Sequence, residues 1–175
     1  TGLLARYKVV MQVIVTTAFL ISLHINGMLS TAFQLPIFGT IEMGWLFYPF
    51  AYLLIIFFVN AVNLTDGLDG LASSVTFVVM LGFTSAATLL GHYTMGIFGA
   101  AIAAGCAGFL FWNFYPAKVF MGDTGSMFLG GAVVTISFGI GHPELLFLLG
   151  VIYLAEAGSV VLQVAYFKLT HGKRI

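Results

Sequence analysis

The sequence predicts an all-α, polytopic transmembrane helix bundle, and three observations carry that expectation. Hydrophobic residues make up 61% of the 175-residue chain and charged residues only 7%, against roughly 25% charged in a soluble globular domain. About six apolar stretches approach the ~20 residues needed to cross a bilayer, each bounded by turn-forming residues. All six Lys and Arg residues fall on one side if those stretches alternate across a membrane. Six basic residues balance six acidic ones, so no basic surface points to nucleic acid.

The first stretch, Val9 to Ile25, follows Arg6 and Lys8 and ends at Asn26-Gly27. A loop to Gly44 then carries an apolar run, Phe33 to Ile41, interrupted by Pro36 and Gly39; a small hairpin and a re-entrant segment both fit it. The second stretch, Trp45 to Val62, and the third, Leu71 to Leu90, flank a polar loop, and Gly91-His92 closes the third. The fourth, Met95 to Trp112, holds Gly96, Gly99, Ala103, Gly105 and Gly108, small residues that let helices approach closely in lipid. Its Cys106 is the lone cysteine and reads as a packing residue. Tyr115-Pro116 follows, then a short fifth stretch from Met127 to Ile140, the His142-Pro143 break, and a sixth stretch from Leu145 to Phe167. The whole reads as a single transmembrane domain over residues 1–175. The start at Thr1 suggests a segment of a longer protein.

Arg6, Lys8, Lys118, Lys168, Lys173 and Arg174 mark their side as cytoplasmic. His171, beside the last two, fits an end facing anionic lipid. On that same side lie all three aspartates, in cytoplasmic loops at about 60–70 and 113–126. The first loop reads Asn60-Ala-Val-Asn63-Leu64-Thr-Asp66-Gly67-Leu-Asp69-Gly70. Its asparagines are three apart and its aspartates are three apart, so each pair shares a face on a helical turn. Capping explains the aspartates, with Thr65 or Asp66 at the start of the third helix. Capping does not explain the asparagines, whereas four oxygen donors beside glycines suit a hard divalent cation with phosphate. The second loop places Asp123 between Gly122 and Thr124-Gly125, near Lys118 and Phe120. A cap is one reading and a metal-bound diphosphate beside a stackable base is the other. Glu156, near the middle of the sixth stretch, is either functional or hydrogen-bonded within the bundle. Gln163, seven residues on, extends a polar stripe. The histidines lack metal-ligand spacing.

Asn60 to Ala72, NAVNLTDGLDGLA, and Phe111 to Gly131, FWNFYPAKVFMGDTGSMFLGG, resemble the bacterial phospho-N-acetylmuramoyl-pentapeptide transferases. The stretch EAGSVVLQVAYFK and the opening from Gly2 to Lys8 are similar too. The resemblance implies transfer of phospho-N-acetylmuramoyl-pentapeptide from its UDP-linked form to undecaprenyl phosphate. The products would be lipid I and UMP, made at the cytoplasmic face of the bacterial inner membrane during peptidoglycan synthesis. It implies Mg2+ as cofactor, with Asp123 as metal ligand and Asp66, Asp69 and Asp123 as catalytic carboxylates. Asn60, Asn63, Leu64, Gly67, Asn113, Phe120, Gly122 and Gln163 would contact substrate, Phe120 by stacking on uracil. It further implies a fold of about ten membrane helices, of which this chain supplies about six, membrane lipids as partners, and a homodimer. The family's aspartate pair, expected just upstream, and its histidine-rich loop, expected just downstream, fall beyond this sequence, and with them the choice between direct attack and a covalent intermediate.

Two other readings stand beside this one. A related UDP-N-acetylhexosamine transferase would carry different loop sequences, and NLTDGLDG favours the muramoyl branch. A membrane transporter would put its coupling carboxylates near the midplane, where only Glu156 falls, whereas three aspartates gather at one surface.

Overall fold

The computed structural model describes residues 5–35 and 39–170. Pro36 and the tail bearing His171, Lys173 and Arg174 lie outside the described residues, as does the opening from Gly2. The order is helix α1 (Ala5–Ile25), strands β1 (Ala32–Leu35) and β2 (Gly39–Glu42), a 3-10 turn at Gly44–Leu46, then helices α2 (Phe47–Thr65), α3 (Leu71–Leu89), α4 (Tyr93–Asn113), α5 (Gly122–Gly139), α6 (Leu145–Leu149) and α7 (Val151–Leu169).

Five helices, α1, α2, α3, α4 and α7, are long and apolar enough to cross a membrane, which makes the chain a multi-pass membrane protein. The fifth of the six expected stretches also forms a helix, though a less apolar one. Helix α5 starts at Gly122, five residues ahead of the apolar stretch, so its first turn is polar and the helix falls outside those five. Its surroundings account for this, since α5 is enclosed by α2, α3, α4 and α6 and does not need an apolar face all round. Nine of its residues are buried, from Ser126 to Phe138.

The sixth stretch also differs from the expectation of one helix, because it divides at Gly150 into α6 and α7. A Cβ at Gly150 would lie 2.5 Å from Leu146 O and 2.8 Å from a ring carbon of Phe58, so only glycine fits where the break meets α2. Helix α7 is tied back into the bundle by a buried hydrogen bond of 2.8 Å between the Tyr153 and Thr76 hydroxyls.

Between α1 and α2 the undecided segment is a hairpin: β1 and β2 are antiparallel, with Phe33 opposite Ile41. Phe33 fixes it to the helix ends, edge-on to Phe50 at 5.2 Å and to Phe147 at 6.2 Å. The most extensive helix contact is α3 on α4, followed by α2 on α5. Water-driven burial contributes little between helices in lipid, so these pairs hold by close fit and hydrogen bonds. Gly96 and Gly99 meet Thr88 and Thr84 of α3 as the small-residue stripe predicts, while Gly105 and Gly108 face open space. Cys106 is buried and free.

Candidate active site

The α2–α3 turn, the α4–α5 loop and the start of α1 meet at one end of the bundle. Asp123 is their common point. It stands in the first turn of α5, ahead of the apolar stretch, where Gly122 takes φ +62°, a conformation open to glycine at little cost. Lys8 of α1 donates to Asp123 Oδ2 as an ion pair, and Asn63 Nδ2 of α2 donates to Asp123 Oδ1 at 3.2 Å and to Ser126 Oγ at 2.7 Å. Three helices thus grip one carboxylate. The Lys8 and Asn63 hydrogen bonds hold the Asp123 carboxyl below its ordinary value, with the Lys8 charge adding to them.

Asp66 is half-buried just past the end of α2. Burial raises its carboxyl above the ordinary value, and the negative charge of Asp123 raises it further. The charges of the two carboxylates therefore oppose one another, a repulsion that a cation or a shared proton would relieve.

Capping explains neither aspartate. Helix α3 begins after Gly70 and α5 after Met121, both without a side-chain cap, and Thr65 donates instead to Ala61 O within α2. Asp69 does not join Asp123: its Oδ2 accepts from the Ala117 backbone N–H at 2.9 Å, stapling the α4–α5 loop to the α2–α3 turn. Asn113 makes the same union from the other side. Buried to 2% exposure, it accepts from Gly70 N and Ser73 Oγ and donates to Val119 O at 2.9 Å. Asn60 turns toward α1, exchanging two hydrogen bonds with Gln12 and donating to Ile56 O.

Around this core, Leu64, Gly67, Phe120 and Gly122 are exposed, Phe120 at 70%, and free to meet a ligand. Lys118 lies over the Trp112 ring, 5.7 Å from its centroid. Gln163 is exposed on α7, donates to Ser159 of its own helix at 3.0 Å, and is not brought to Asp123. Glu156 is half-buried on the same helix.

Lys8, Gln12 and Ser126 are site residues that sequence reasoning did not single out. Lys8 had served only as an orientation charge. A signal was present in the spacing, because Lys8, Gln12 and Thr16 recur every four residues along an otherwise apolar stretch and so share one face.

Below the charged rung opens a groove of about 430 Å3 between α1, α2 and α5. Lys8 and Asp123 stand at one end, and its wall runs through Val59 and Ile55 on α2 to Phe19 on α1 and Val134 on α5, mostly apolar but with Gln12, Thr16, Thr124 and Thr135 in the lining. No group of three His, Cys, Asp or Glu able to hold a metal occurs among the described residues. Two opposed carboxylates beside an amide nevertheless fit magnesium, which takes one or two protein carboxylates and fills its other positions with water and substrate phosphate.

Replacing Lys8 by Gln is expected to return the Asp123 carboxyl upward toward the ordinary aspartate range, about 3.9. Because the folded-state value lies below the unfolded one, the pair stabilises the fold above the ordinary range and loses that contribution as pH falls through the depressed value. A carboxylate NMR titration of Asp123 in both proteins reads the change, and identical curves would overturn the pairing.

At one end of its bundle this multi-pass membrane protein thus gathers carboxylates, an ammonium and amides beside a largely apolar groove. Residues 1–140 match Glycosyl transferase family 4, and the chain belongs to that family. It is 45% identical over 175 residues to the phospho-N-acetylmuramoyl-pentapeptide-transferase of Caldicellulosiruptor bescii, 46% to that of Thermoanaerobacter sp. and 42% to that of Listeria monocytogenes. Each match covers 99% of this chain and 54% of the relative, so the chain spans about half the length of the curated relatives it matches.

Proposed function

We propose that this chain forms part of an enzyme that transfers phospho-N-acetylmuramoyl-pentapeptide from UDP to undecaprenyl phosphate, at the cytoplasmic face of a bacterial inner membrane. The observation that carries the reading is the placement of Asp123, held by Lys8 and Asn63 at the charged end of an apolar groove. A polyprenyl chain needs apolar lining, and its phosphate needs cationic and hydrogen-bonding groups where that lining ends. The names and identities of the relatives support the particular donor and acceptor.

In the reaction an oxygen of the lipid phosphate attacks the sugar-linked phosphorus of the donor diphosphate. A new P–O–P linkage forms, the original one breaks, and UMP leaves with the bridging oxygen. Anionic reactants repel, so the barrier falls mainly through charge neutralisation and alignment. Magnesium, when bound at Asp123 with Asp66 beside it, would supply cationic charge against the diphosphate oxygens. Lys8 would draw the lipid phosphate to the site, Asn63 holds the Asp123 carboxylate in place, and Phe120 offers its exposed face to the uracil. Asp69 and Asn113 fix the loop that carries Phe120. Direct attack needs no further nucleophile and is the mechanism proposed.

The test is UMP release by the complete polypeptide, supplied with the UDP-linked muramoyl-pentapeptide, a polyprenyl phosphate and Mg2+. Release that requires all three supports the reading. Equal release from a UDP-N-acetylhexosamine, or none from the muramoyl donor, would overturn it.

A further inference from the structure

Helices α1 and α2 run antiparallel and meet along a ladder of polar rungs in one register. At the hairpin end His24 Nδ1 and the Tyr48 hydroxyl are 2.8 Å apart. Deeper, Tyr52 hydrogen-bonds Thr17 and donates to Val13 O at 2.6 Å. Deeper again, Gln12 Nε2 donates to Asn60 Oδ1 at 3.3 Å while Asn60 Nδ2 donates back to Gln12 Oε1 at 3.1 Å. One turn further, Lys8 and Asn63 reach the two oxygens of the same Asp123 carboxylate.

Two features make the amide rung decisive for the one above it. Gln12 is only 8% exposed, although its helix is among the least enclosed of the bundle. Every hydrogen of the Asn60 amide is already used, on Gln12 and Ile56 O, so loss of Gln12 leaves Asn60 Oδ1 without a partner in an apolar surround. Lys8 lies four residues before Gln12, on the same face and one turn away. The rotation and height of α1 at Gln12 therefore set where the Lys8 ammonium falls.

We propose that Gln12 is a positioning residue: its reciprocal amide pair with Asn60 holds α1 in the register that sets Lys8 opposite Asp123. The activity arm of the test rests on the transfer reaction proposed above; the structural arm does not.

The structural arm treats the complete membrane protein with a carbodiimide, which joins a paired ammonium and carboxylate, and measures the Lys8–Asp123 cross-link by mass spectrometry. Gln12→Met, close in size and apolar, should lower the yield about tenfold, the population change expected when two interhelical hydrogen bonds are lost in lipid. The exchanged pair, Gln12→Asn with Asn60→Gln, keeps the combined reach and should restore most of it. Should Gln12→Met fail to yield folded protein, Gln12→Asn alone decides, since it keeps the amide but shortens the reach and should also lower the yield. In the activity arm Gln12→Met should reduce kcat/KM for the polyprenyl phosphate about 10- to 100-fold, because it displaces the ammonium that draws the lipid phosphate, and the exchanged pair should recover it. An unchanged cross-link yield in Gln12→Met overturns the proposal. So does a loss of kcat/KM in Gln12→Met that the exchanged pair fails to recover although its cross-link yield is restored. If the unaltered protein transfers no phosphosugar, the reading of function fails while the cross-link still decides the role of Gln12.

Discussion

Asp123→Asn in the complete polypeptide is expected to lower UMP release about 10³-fold, and to weaken its dependence on magnesium, while the protein still folds and inserts. The substitution keeps size and one oxygen but removes the charge that Lys8 pairs with and that a divalent cation would need. A cation acting on phosphoryl oxygens supplies several kcal/mol of transition-state stabilisation, and each 1.36 kcal/mol is tenfold in rate, so losing its anchor costs about three orders of magnitude. Folding should persist because the Asp123 side chain is 56% exposed and caps no helix. Assays of UMP release across magnesium concentration, beside size-exclusion profiles in detergent, check both halves. Near-normal release would remove Asp123 from the site.

How much of this was legible in the sequence depended on whether the determining contact was local. Apolar length and flanking breakers placed α1 to α4 to within a few residues, because a helix in lipid must satisfy its own backbone. They misplaced the start of α5, since Gly122 to Ser126 is polar and yet helical, and hydropathy marks only the apolar part of a helix. They also missed the break at Gly150, where Phe58, far away in sequence, lies too close for any side chain. The hairpin could not be chosen over a re-entrant segment until Phe33 was seen against Phe50 and Phe147.

The site divides the same way. Residue type and spacing picked out Asp66 and Asp123, whose charges oppose one another in the fold. Asn63, expected to contact substrate, donates to Asp123, while Asn60, on the same face of α2, turns to Gln12 instead. Asp69 and Asn113 hold loops, a use invisible from spacing because their partners are backbone groups 43 to 48 residues away. Lys8 is 115 residues from Asp123, and only its periodicity with Gln12 and Thr16 hinted at an inward face.

Gly130→Ala should be as damaging to the site as a change within it, although Gly130 touches no substrate. A Cβ there would lie 2.8 Å from Val59 Cα and 3.0 Å from Val59 O. Those are backbone atoms, so no side chain can swing away and α2 must separate from α5. Overpacking of this kind costs about 1–3 kcal/mol. The same separation strains the 2.7 Å hydrogen bond from Asn63 to Ser126 and moves Asn63 away from Asp123, and misplacement by about 1 Å is enough for roughly 10²-fold in rate. Gly108→Ala is the matched control: the same methyl group, in α4, meets nothing within 4 Å and gains the higher helix propensity of alanine, about 1 kcal/mol. Thermal unfolding in detergent together with UMP release separates the two variants, with Gly130→Ala expected to melt lower and transfer slowly and Gly108→Ala to do neither. Equal melting temperatures would mean that α2 and α5 are not in contact at Val59, and the α2 side of the Asp123 site would have to be redrawn.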